Sequence, residues 1–65
     1  MQLIVNGHTT PMPDPPTLAI LLLAFEPQRP YAVARNDEFV PRSTYHQCEL
    51  IDGDRIEIVR PSAGG

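Results

Sequence analysis

Apolar and polar residues alternate at the start of the chain, with the two-residue period of a strand that is buried on one face. Over residues 1–5 this pattern places Leu3 and Val5 on the core side and the residues between them on the other side. The Asn6-Gly7 pair that follows is typical of a two-residue hairpin turn, because both central positions of that turn take positive φ. The chain is therefore predicted to open with a β-hairpin, and Pro11, which lacks an N–H, ends its second strand or confines it to a sheet edge.

The same alternation returns near the end of the chain, over residues 55–60. Ile56 and Ile58 share one face of this predicted strand. The preceding Asp-Gly-Asp at residues 52–54 is a turn signal, because glycine accepts positive φ and aspartate bonds to nearby backbone. Pro61 has no N–H for a ladder, so we expect sheet pairing to stop there.

One segment has the period of a helix. Its apolar residues recur at spacings of three and four along one face, and they are Leu18, Leu21, Leu22 and Phe25. Thr17 is a suitable N-cap, and Glu26-Pro27 limits the extension, because a residue before proline disfavours the α region. The sequence predicts a helix from Leu18 to about Phe25, after a stiff proline-rich connector over residues 11–16.

Ile20 and Leu23 lie on the other side of this predicted helix and are unexpectedly apolar. We expect the proline connector to fold back over them. The alternative is an exposed patch on which a partner docks.

Two short strands are predicted after the helix. Residues 31–35 form the first and residues 38–40 the second, with Asn36-Asp37 as the turn between them. Pro41 ends the second strand.

The segment before the final turn is expected to contain little regular structure. Residues 42–45 are predicted to form a single helical turn capped by Ser43 or Thr44, and residues 47–51 to run extended. The resulting order of elements predicts an α+β fold, in which one helix covers a mixed four- to five-stranded sheet. Because only the helix connects the two halves, the first and last strands can lie side by side and parallel in the middle of that sheet.

Length, cysteine usage and charge narrow the class of protein. At 65 residues the chain is expected to form one domain, and Cys48, its only cysteine, leaves it without a disulfide. We find no signal peptide and no membrane-spanning apolar run, so we expect a protein of the reducing cytosol. The net charge of −3 argues against a nucleic-acid partner, and because all five basic residues are arginine, no lysine side chain can accept a conjugate.

Few side chains suggest chemistry. His46 and Cys48 share a face if the segment is extended, but no third group orients them, so we expect Cys48 to be a half-buried structural residue. His8 and His46 are too few and too far apart for a zinc site. Arg55 and Arg60 flank the last strand, where they either pair with acidic groups of a partner or form a solvated face.

The chain ends in Ser62, Ala63, Gly64 and Gly65 directly after that strand. Two glycines suit a carboxylate that must enter another protein's active site, since no Cβ blocks the approach and the backbone can adopt many conformations. The C-terminal carboxylate of Gly65 is the chemically distinctive group of the chain.

In this order and at this length, the motifs of the chain resemble those of the ThiS sulfur carriers of thiamin biosynthesis, small relatives of ubiquitin. The resemblance covers essentially the whole chain. It rests on the opening strand with Asn6-Gly7, Thr17-Leu18 with Leu21-Leu22, the segment from Tyr31 to Asn36, Val40-Pro41-Arg42 with Tyr45, Asp52-Gly53-Asp54, the segment from Ile56 to Val59, and Gly64-Gly65.

The resemblance implies a β-grasp fold, with residues 1–65 as one domain and residues 61–65 as a flexible tail. It implies a protein cosubstrate and not an enzyme: a ThiF-like adenylyltransferase, using ATP and Mg²⁺ of its own, would adenylate Gly65. Sulfur derived from a cysteine desulfurase would then give a thiocarboxylate, and a ThiG-like thiazole synthase would take up that sulfur. Ser62, Ala63 and Gly64 would thread into these partners, and the chain itself would bind no cofactor or metal.

Some features differ from the family pattern, and other functions remain alternatives. Arg60-Pro61-Ser62 stands where relatives carry small apolar residues, which would alter the path of the tail. The nearest alternative is a MoaD-like small subunit of molybdopterin synthase, although Val40-Pro41-Arg42 favours the thiamin branch. Carriers for other sulfur pathways and a non-covalent ubiquitin-like interaction module are further alternatives. A small nucleic-acid-binding β-barrel is opposed by the acidic charge and the few aromatic residues.

Overall fold

The computed structural model describes residues 1–61, and residues 62–65 lie outside the described part. One helix packs on one face of a five-stranded sheet. In chain order the elements are β1 (Gln2–Val5), β2 (His8–Pro11), α1 (Leu18–Phe25), β3 (Ala32–Arg35), β4 (Glu38–Phe39), a 3₁₀ turn (Arg42–Thr44) and β5 (Arg55–Val59).

The first and last strands meet at the centre of the sheet, as predicted. The strand order is β2-β1-β5-β3-β4. β1 and β5 run parallel, whereas β1 with β2, β3 with β4 and β3 with β5 are antiparallel. β5 is therefore hydrogen-bonded along both sides, and Pro11 closes β2 at a sheet edge, where its missing N–H is tolerated.

Both predicted hairpin turns are confirmed. Asn6 and Gly7 have φ values of 49° and 83°, and Asn36 and Asp37 have values of 50° and 71°. These angles give the turn the twist that joins two adjacent antiparallel strands. Asparagine and aspartate tolerate the left-handed region better than other residues with a side chain, which explains why they occupy these positions.

The helix begins and ends at the predicted residues. The Thr17 hydroxyl accepts a hydrogen bond from the Ile20 N–H at 3.3 Å, which satisfies one of the free donors of the first turn. At the other end Glu26 adopts a left-handed conformation with φ of 50°, and its N–H donates to the Leu22 carbonyl at 2.9 Å. The left-handed residue stops the helix one position before Pro27.

The core lies between the helix and one face of the sheet. It is formed by Leu3, Val5, Leu18, Leu21, Leu22, Val33, Val40, Leu50 and Ile56. The predicted inward faces of β1 and β5 are confirmed, with Ile58 half-buried. The prediction for Phe25 is wrong: it is 44% exposed, because it is the last residue of the helix and lies past the buried leucines.

The second half of the chain differs in detail from the prediction. β3 begins one residue later than expected and β4 ends one residue earlier, at Phe39. Pro41 occupies the N-cap position of the 3₁₀ turn, and neither Ser43 nor Thr44 caps it. The Thr44 hydroxyl instead donates to the Pro41 carbonyl at 2.8 Å, a bond that closes the turn from its far end.

The segment before the last turn pairs with the start of the helix and not with the sheet. The Leu18 N–H donates to the Cys48 carbonyl at 2.9 Å, and the Leu50 N–H donates to the Pro16 carbonyl at 2.8 Å. A single bridge joins Thr17 to Glu49. These bonds hold the segment against the N-terminal end of the helix. Leu50 is thereby buried in the core.

Candidate functional site

The strand that leads to the C-terminal residues is the central strand of the sheet. In β5 the residue pairs with β3 run from Arg35 opposite Ile56 to Ala32 opposite Val59. The parallel pairing with β1 covers only the first part of the strand, at Arg55 and Ile56. The later part of β5 therefore needs another partner on the β1 side.

Asn6 supplies that partner. Its side-chain oxygen accepts from the Ile58 N–H at 2.8 Å, and its side-chain nitrogen donates to the Ile58 carbonyl at 3.4 Å. The Asn6 backbone N–H also donates to the Ile56 carbonyl at 2.9 Å. β1 ends at Val5 and has no peptide group opposite Ile58. The side-chain amide of Asn6 takes the place of that missing peptide group.

Asn36 holds the beginning of the same strand in a similar way. Its side-chain oxygen accepts from the Arg55 N–H at 2.9 Å, and its own N–H donates to the Arg55 carbonyl at 2.8 Å. Two asparagines in left-handed turn conformations therefore hold β5 near both of its ends. Sequence reasoning identified both residues as turn formers and missed their contacts with β5.

Asp54 is a buried charged residue at the end of the turn predicted from Asp-Gly-Asp. It is only 3% exposed, and one of its oxygens receives the Arg35 guanidinium at 2.9 Å and 2.8 Å. The same oxygen accepts from the Ile51 N–H at 2.9 Å, and the other accepts from the Asn36 side chain at 3.0 Å. A local signal was present in Asp-Gly-Asp, but nothing in that motif shows which aspartate is buried.

These contacts determine the charge state of Asp54. Burial by itself raises the pKa of a carboxyl group, but the hydrogen bonds from Ile51, Asn36 and Arg35, with the positive charge of Arg35, outweigh burial and lower the pKa of Asp54 below its ordinary value. The carboxylate is therefore ionised at neutral pH. It joins β3, the turn after it and the start of β5 into one polar cluster.

The outer face of the sheet carries an apolar patch beside the end of β5. Phe39 is 70% exposed and Val59 is 53% exposed. Val59 pairs with Ala32 and Phe39 pairs with Ala34, and these two alanines lie two residues apart on the same face of β3. These four residues, called the outer patch below, include Val59, the last residue of β5.

A groove adjoins the outer patch and lies between the helix and the segment around the 3₁₀ turn. It consists of two adjoining cavities, of about 670 Å³ and about 210 Å³, which share Arg29, Tyr31, Arg42 and Tyr45 in their walls. The larger cavity extends to Leu23, and the smaller one extends to Phe39. Burial, and to a smaller degree the neighbouring Tyr31, raise the pKa of the Tyr45 phenol, so Tyr45 is neutral at physiological pH.

The prediction that the proline connector covers Ile20 and Leu23 is wrong for Leu23. Leu23 is 72% exposed, whereas Ile20 is half-buried. Within the connector only Pro15 lines the same cavity, and it leaves the outer side of the helix open to solvent. The alternative, an exposed apolar surface on the helix, describes Leu23.

The other predicted site residues have ordinary surroundings. Cys48 is half-buried, and its sulfur accepts from the Arg35 guanidinium at 3.7 Å, consistent with a structural role. Arg55 pairs with Asp37 at 3.1 Å on the surface, and Arg60 is exposed. Over residues 1–61 there is no group of three or more histidine, cysteine, aspartate or glutamate side chains that could hold a metal ion.

Four of the predicted site residues cannot be located by the structure. Ser62, Ala63, Gly64 and Gly65 lie outside the described residues. No helix within the described part is long and apolar enough to cross a membrane. The division of the chain into a body and a flexible tail, and its location in the cytosol, stay predictions.

A mixed sheet with a parallel central pair, crossed on one face by a single helix, defines a β-grasp domain. The central strand of this domain leads directly into the C-terminal residues. The chain belongs to the ThiS family, whose sequence model matches residues 3–65.

A solved structure agrees with this assignment. The crystal structure of the thiamine biosynthesis protein ThiS from Geobacter metallireducens superposes with a TM-score of 0.81 at 27% identity, over the full length of both chains. The fold class predicted from the sequence is thereby confirmed.

A thiazole synthase from Paramagnetospirillum magneticum (strain ATCC 700264 / AMB-1) is 40% identical over 67 aligned residues. The alignment covers all of this chain and 20% of that relative, so the chain spans about a fifth of its length. A segment similar to this chain therefore occurs within a longer protein that bears the name of a thiazole synthase.

Proposed function

We propose that this ThiS-family chain carries sulfur for the formation of the thiazole ring of thiamin, as a thiocarboxylate on Gly65. The observation that carries the proposal is the family match, which runs from residue 3 through Gly65 itself. Small sulfur carriers of the ThiS family are not catalytic. In this role the chain is a cosubstrate that supplies the reacting carboxylate and the surfaces by which partners recognise it.

The Gly65 carboxylate must be activated before it can accept sulfur. A main-chain carboxyl group has a pKa of about 3.5, so at neutral pH it is an anion and a poor electrophile. A ThiF-like adenylyltransferase, using its own ATP and Mg²⁺, would join this carboxylate to AMP and release pyrophosphate. AMP is then a leaving group that a sulfur nucleophile can displace.

Sulfur would arrive as a protein persulfide that a cysteine desulfurase generates. Its terminal sulfur forms a bond to the Gly65 carbonyl carbon as the bond to AMP breaks, and AMP leaves with the electron pair. A thiol of the donor protein then attacks the resulting acyl disulfide at the donor's sulfur. This step leaves the thiocarboxylate on Gly65 and a disulfide on the donor, so the two electrons are accounted for.

The folded body supports this role by its geometry. β5 is hydrogen-bonded on both sides, and Asn6 extends that pairing to Ile58, so the C-terminal residues start from a well-held strand. The outer patch includes Val59, the last residue of β5, and is suited to dock an activating enzyme beside the strand that precedes the C-terminal residues, because exposed apolar groups on a small domain favour protein contacts.

The relative from Paramagnetospirillum supports a ThiG-like thiazole synthase as the protein that receives the sulfur. In that protein a segment similar to this chain accounts for 20% of a polypeptide that is named a thiazole synthase. A carrier and the enzyme that consumes its sulfur benefit from such linkage, because it raises their effective concentration.

The proposal is tested by the intact mass of the protein after incubation with a ThiF-like adenylyltransferase of the same genome, ATP, Mg²⁺ and a persulfide donor. The expected result is the mass gain of one oxygen-to-sulfur exchange, which is localised to Gly65 by fragmentation and is absent without ATP. If an adenylyltransferase that modifies its own known carrier leaves this chain unmodified, the proposal is wrong. A non-covalent interaction module would then be the better description.

A further inference from the structure

The groove between the helix and the 3₁₀ turn has no role in the proposed sulfur chemistry. Its two cavities share two arginines and two tyrosines, which are Arg29, Tyr31, Arg42 and Tyr45 and are called the Arg–Tyr groove below. The groove continues from the exposed Leu23 on the helix to the exposed Phe39 on β4. It therefore forms one continuous track across the molecule.

Two of the three arginines that form no ion pair among residues 1–61 line this track, and the third is Arg60, although the chain as a whole is acidic. Only five basic side chains other than histidine exist in a chain with a net charge of −3. Arg35 and Arg55 form ion pairs with aspartates. Among residues 1–61, no carboxylate forms an ion pair with Arg29 or Arg42, both of which line the groove.

The single carboxylate in the groove wall does not change this balance. Glu26 lines the larger cavity at the end of the helix, and within the described residues it makes no ion pair with Arg29 or Arg42. His46 lines the same cavity and adds no negative charge. As far as residues 1–61 are concerned, the groove therefore offers an incoming anion two guanidinium groups that form no ion pair.

Apolar contacts are available at both ends of the groove. Leu23 is 72% exposed at one end, and Phe39 is 70% exposed at the other. A ligand that fits both features carries carboxylates in its middle and apolar side chains on either side. An extended protein segment has these properties, whereas an inorganic anion uses only the arginines.

The groove also ends where the C-terminal residues begin. Ala32 lines its smaller cavity and pairs with Val59, the last residue of β5. A segment bound along the groove therefore reaches the strand end from which Gly65 follows six residues later. A protein that binds here is positioned to receive the carboxylate.

We propose that the Arg–Tyr groove docks an acidic segment, flanked by apolar side chains, of the thiazole synthase that takes the sulfur. The inference rests on the proposed function, because it names the same partner. The groove gives this partner a contact that extends beyond the outer patch, with which it shares Ala32 and Phe39 at one end. Arginine at a groove rim both steers association and pairs with carboxylates in a fixed geometry.

The test measures the dissociation constant of the thiazole synthase encoded by the same genome, by titration calorimetry at low and at physiological salt. The variants are Arg29→Glu with Arg42→Glu, and separately Leu23→Ser. We expect the double charge reversal to weaken binding at least about tenfold and to flatten its salt dependence, since rim charges act through screened attraction. Leu23→Ser should weaken binding at both salt concentrations to a similar degree.

Two control variants alter surface charge away from the groove. Arg55→Glu and Asp37→Lys together reverse an exposed ion pair and leave the net charge unchanged, and Arg55→Glu alone tests a single charge reversal. Neither should change the dissociation constant more than about twofold, because exposed charges outside an interface contribute little. Thermal unfolding midpoints equal to that of the wild type show that each variant is folded.

The outcomes separate this inference from the proposed function. If the wild type gains sulfur on Gly65 and the groove variants bind the synthase as tightly as the wild type, the groove proposal is overturned and the carrier function stands. If binding depends on the groove while Gly65 gains no sulfur, the docking surface stands and the carrier function is wrong. Failure of the wild type to bind the synthase also overturns the groove proposal.

Discussion

The side-chain amide of Asn6 pairs with the main chain of Ile58 as a neighbouring strand would. Its oxygen accepts from the Ile58 N–H at 2.8 Å, and its nitrogen donates to the Ile58 carbonyl at 3.4 Å. The two residues are 52 positions apart in the chain. One turn residue thus serves the hairpin in which it lies and the strand that leads to Gly65.

Replacement of Asn6 by glycine should separate these two roles. Glycine accepts the left-handed φ of this position, so the turn is retained and only the side-chain bonds to Ile58 are lost. We expect a loss of about 1–2 kcal/mol in the free energy of unfolding, with faster hydrogen exchange at the Ile58 amide. Urea-induced unfolding measures the loss of free energy, and NMR measures the rate of hydrogen exchange at the Ile58 amide.

Asn36→Gly at the other turn is the comparison for Asn6→Gly, and it also removes the bond from the Asn36 side chain to Asp54. It should speed exchange at the Arg55 amide, which Asn36 holds at 2.9 Å, and leave the Ile58 amide unchanged. Unchanged exchange at Ile58 in the Asn6 variant would show that β5 is held at this end without the side chain.

Asp54 should contribute far more to stability than Asp37, although each pairs with one arginine. Asp54 is 3% exposed and accepts from Arg35, Asn36 and the Ile51 N–H, whereas the Asp37 side chain is 70% exposed. Asp54→Ala leaves these donors without an acceptor and should cost about 3–5 kcal/mol. Asp37→Ala should cost less than about 1 kcal/mol. Equal losses in chemical denaturation would contradict the polar cluster described above.

The lowered pKa of Asp54 also predicts how stability changes in acid. A carboxyl group whose folded pKa lies below its unfolded value stabilises the fold fully above the unfolded pKa, near 3.8, and loses that contribution as pH falls through the folded pKa. Unfolding free energy should therefore fall as pH is lowered from about 5. In Asp54→Asn, measured over the same pH range, this acid dependence should be shallower, even though the variant is less stable at neutral pH. An unchanged slope would assign the acid dependence to other carboxylates.

Local patterns predicted the helix and the hairpins because their causes are local. Thr17 caps the helix through a bond to Ile20 three residues away, and the Asn6-Gly7 turn needs only positive φ. The spacing of apolar residues along the helix places Phe25 in the core. That spacing cannot show how far the facing sheet extends, and therefore cannot show which apolar residue of the helix lies beyond it. Thr44 is a second example of this kind. Its hydroxyl is predicted to cap the 3₁₀ turn, but in the structure it donates to the Pro41 carbonyl and closes the turn from its far end.

The candidate site was only partly predictable from the sequence. The C-terminal residues were identified by composition and family resemblance, both of which can be seen in the chain itself. Contacts of Asn6 with Ile58 and of Asp54 with Arg35 join distant segments, and no local pattern encodes them. The Arg–Tyr groove likewise forms only when the helix, the segment before β3 and the 3₁₀ turn come together.

The helix should respond very differently to the removal of two neighbouring leucines. Leu21 is 2% exposed within the core, whereas Leu23 is 72% exposed. Leu21→Ala should lower the free energy of unfolding by about 2–5 kcal/mol, because it removes buried methyl groups and leaves a cavity. Leu23→Ala should change it by less than about 0.5 kcal/mol. Guanidinium-induced unfolding of both variants measures the two losses of free energy. A large loss in Leu23→Ala would indicate that another part of the chain covers Leu23.

Deletion of Gly65 should abolish sulfur loading and leave the folded body unchanged. The reason is chemical: the carboxylate to be activated would move to Gly64, one residue short of the position that the partner's active site is expected to accept. The unfolding free energy and the amide spectrum of residues 1–61 should match the wild type, because the core residues of the described part lie between Leu3 and Ile56 and glycine has no side chain to pack. Intact mass after incubation with the adenylyltransferase, ATP and a persulfide donor measures the loss. An added residue after Gly65 is the complementary variant, and it too should remain unmodified. Sulfur gained by both variants at the wild-type rate would contradict a carrier that reacts at Gly65.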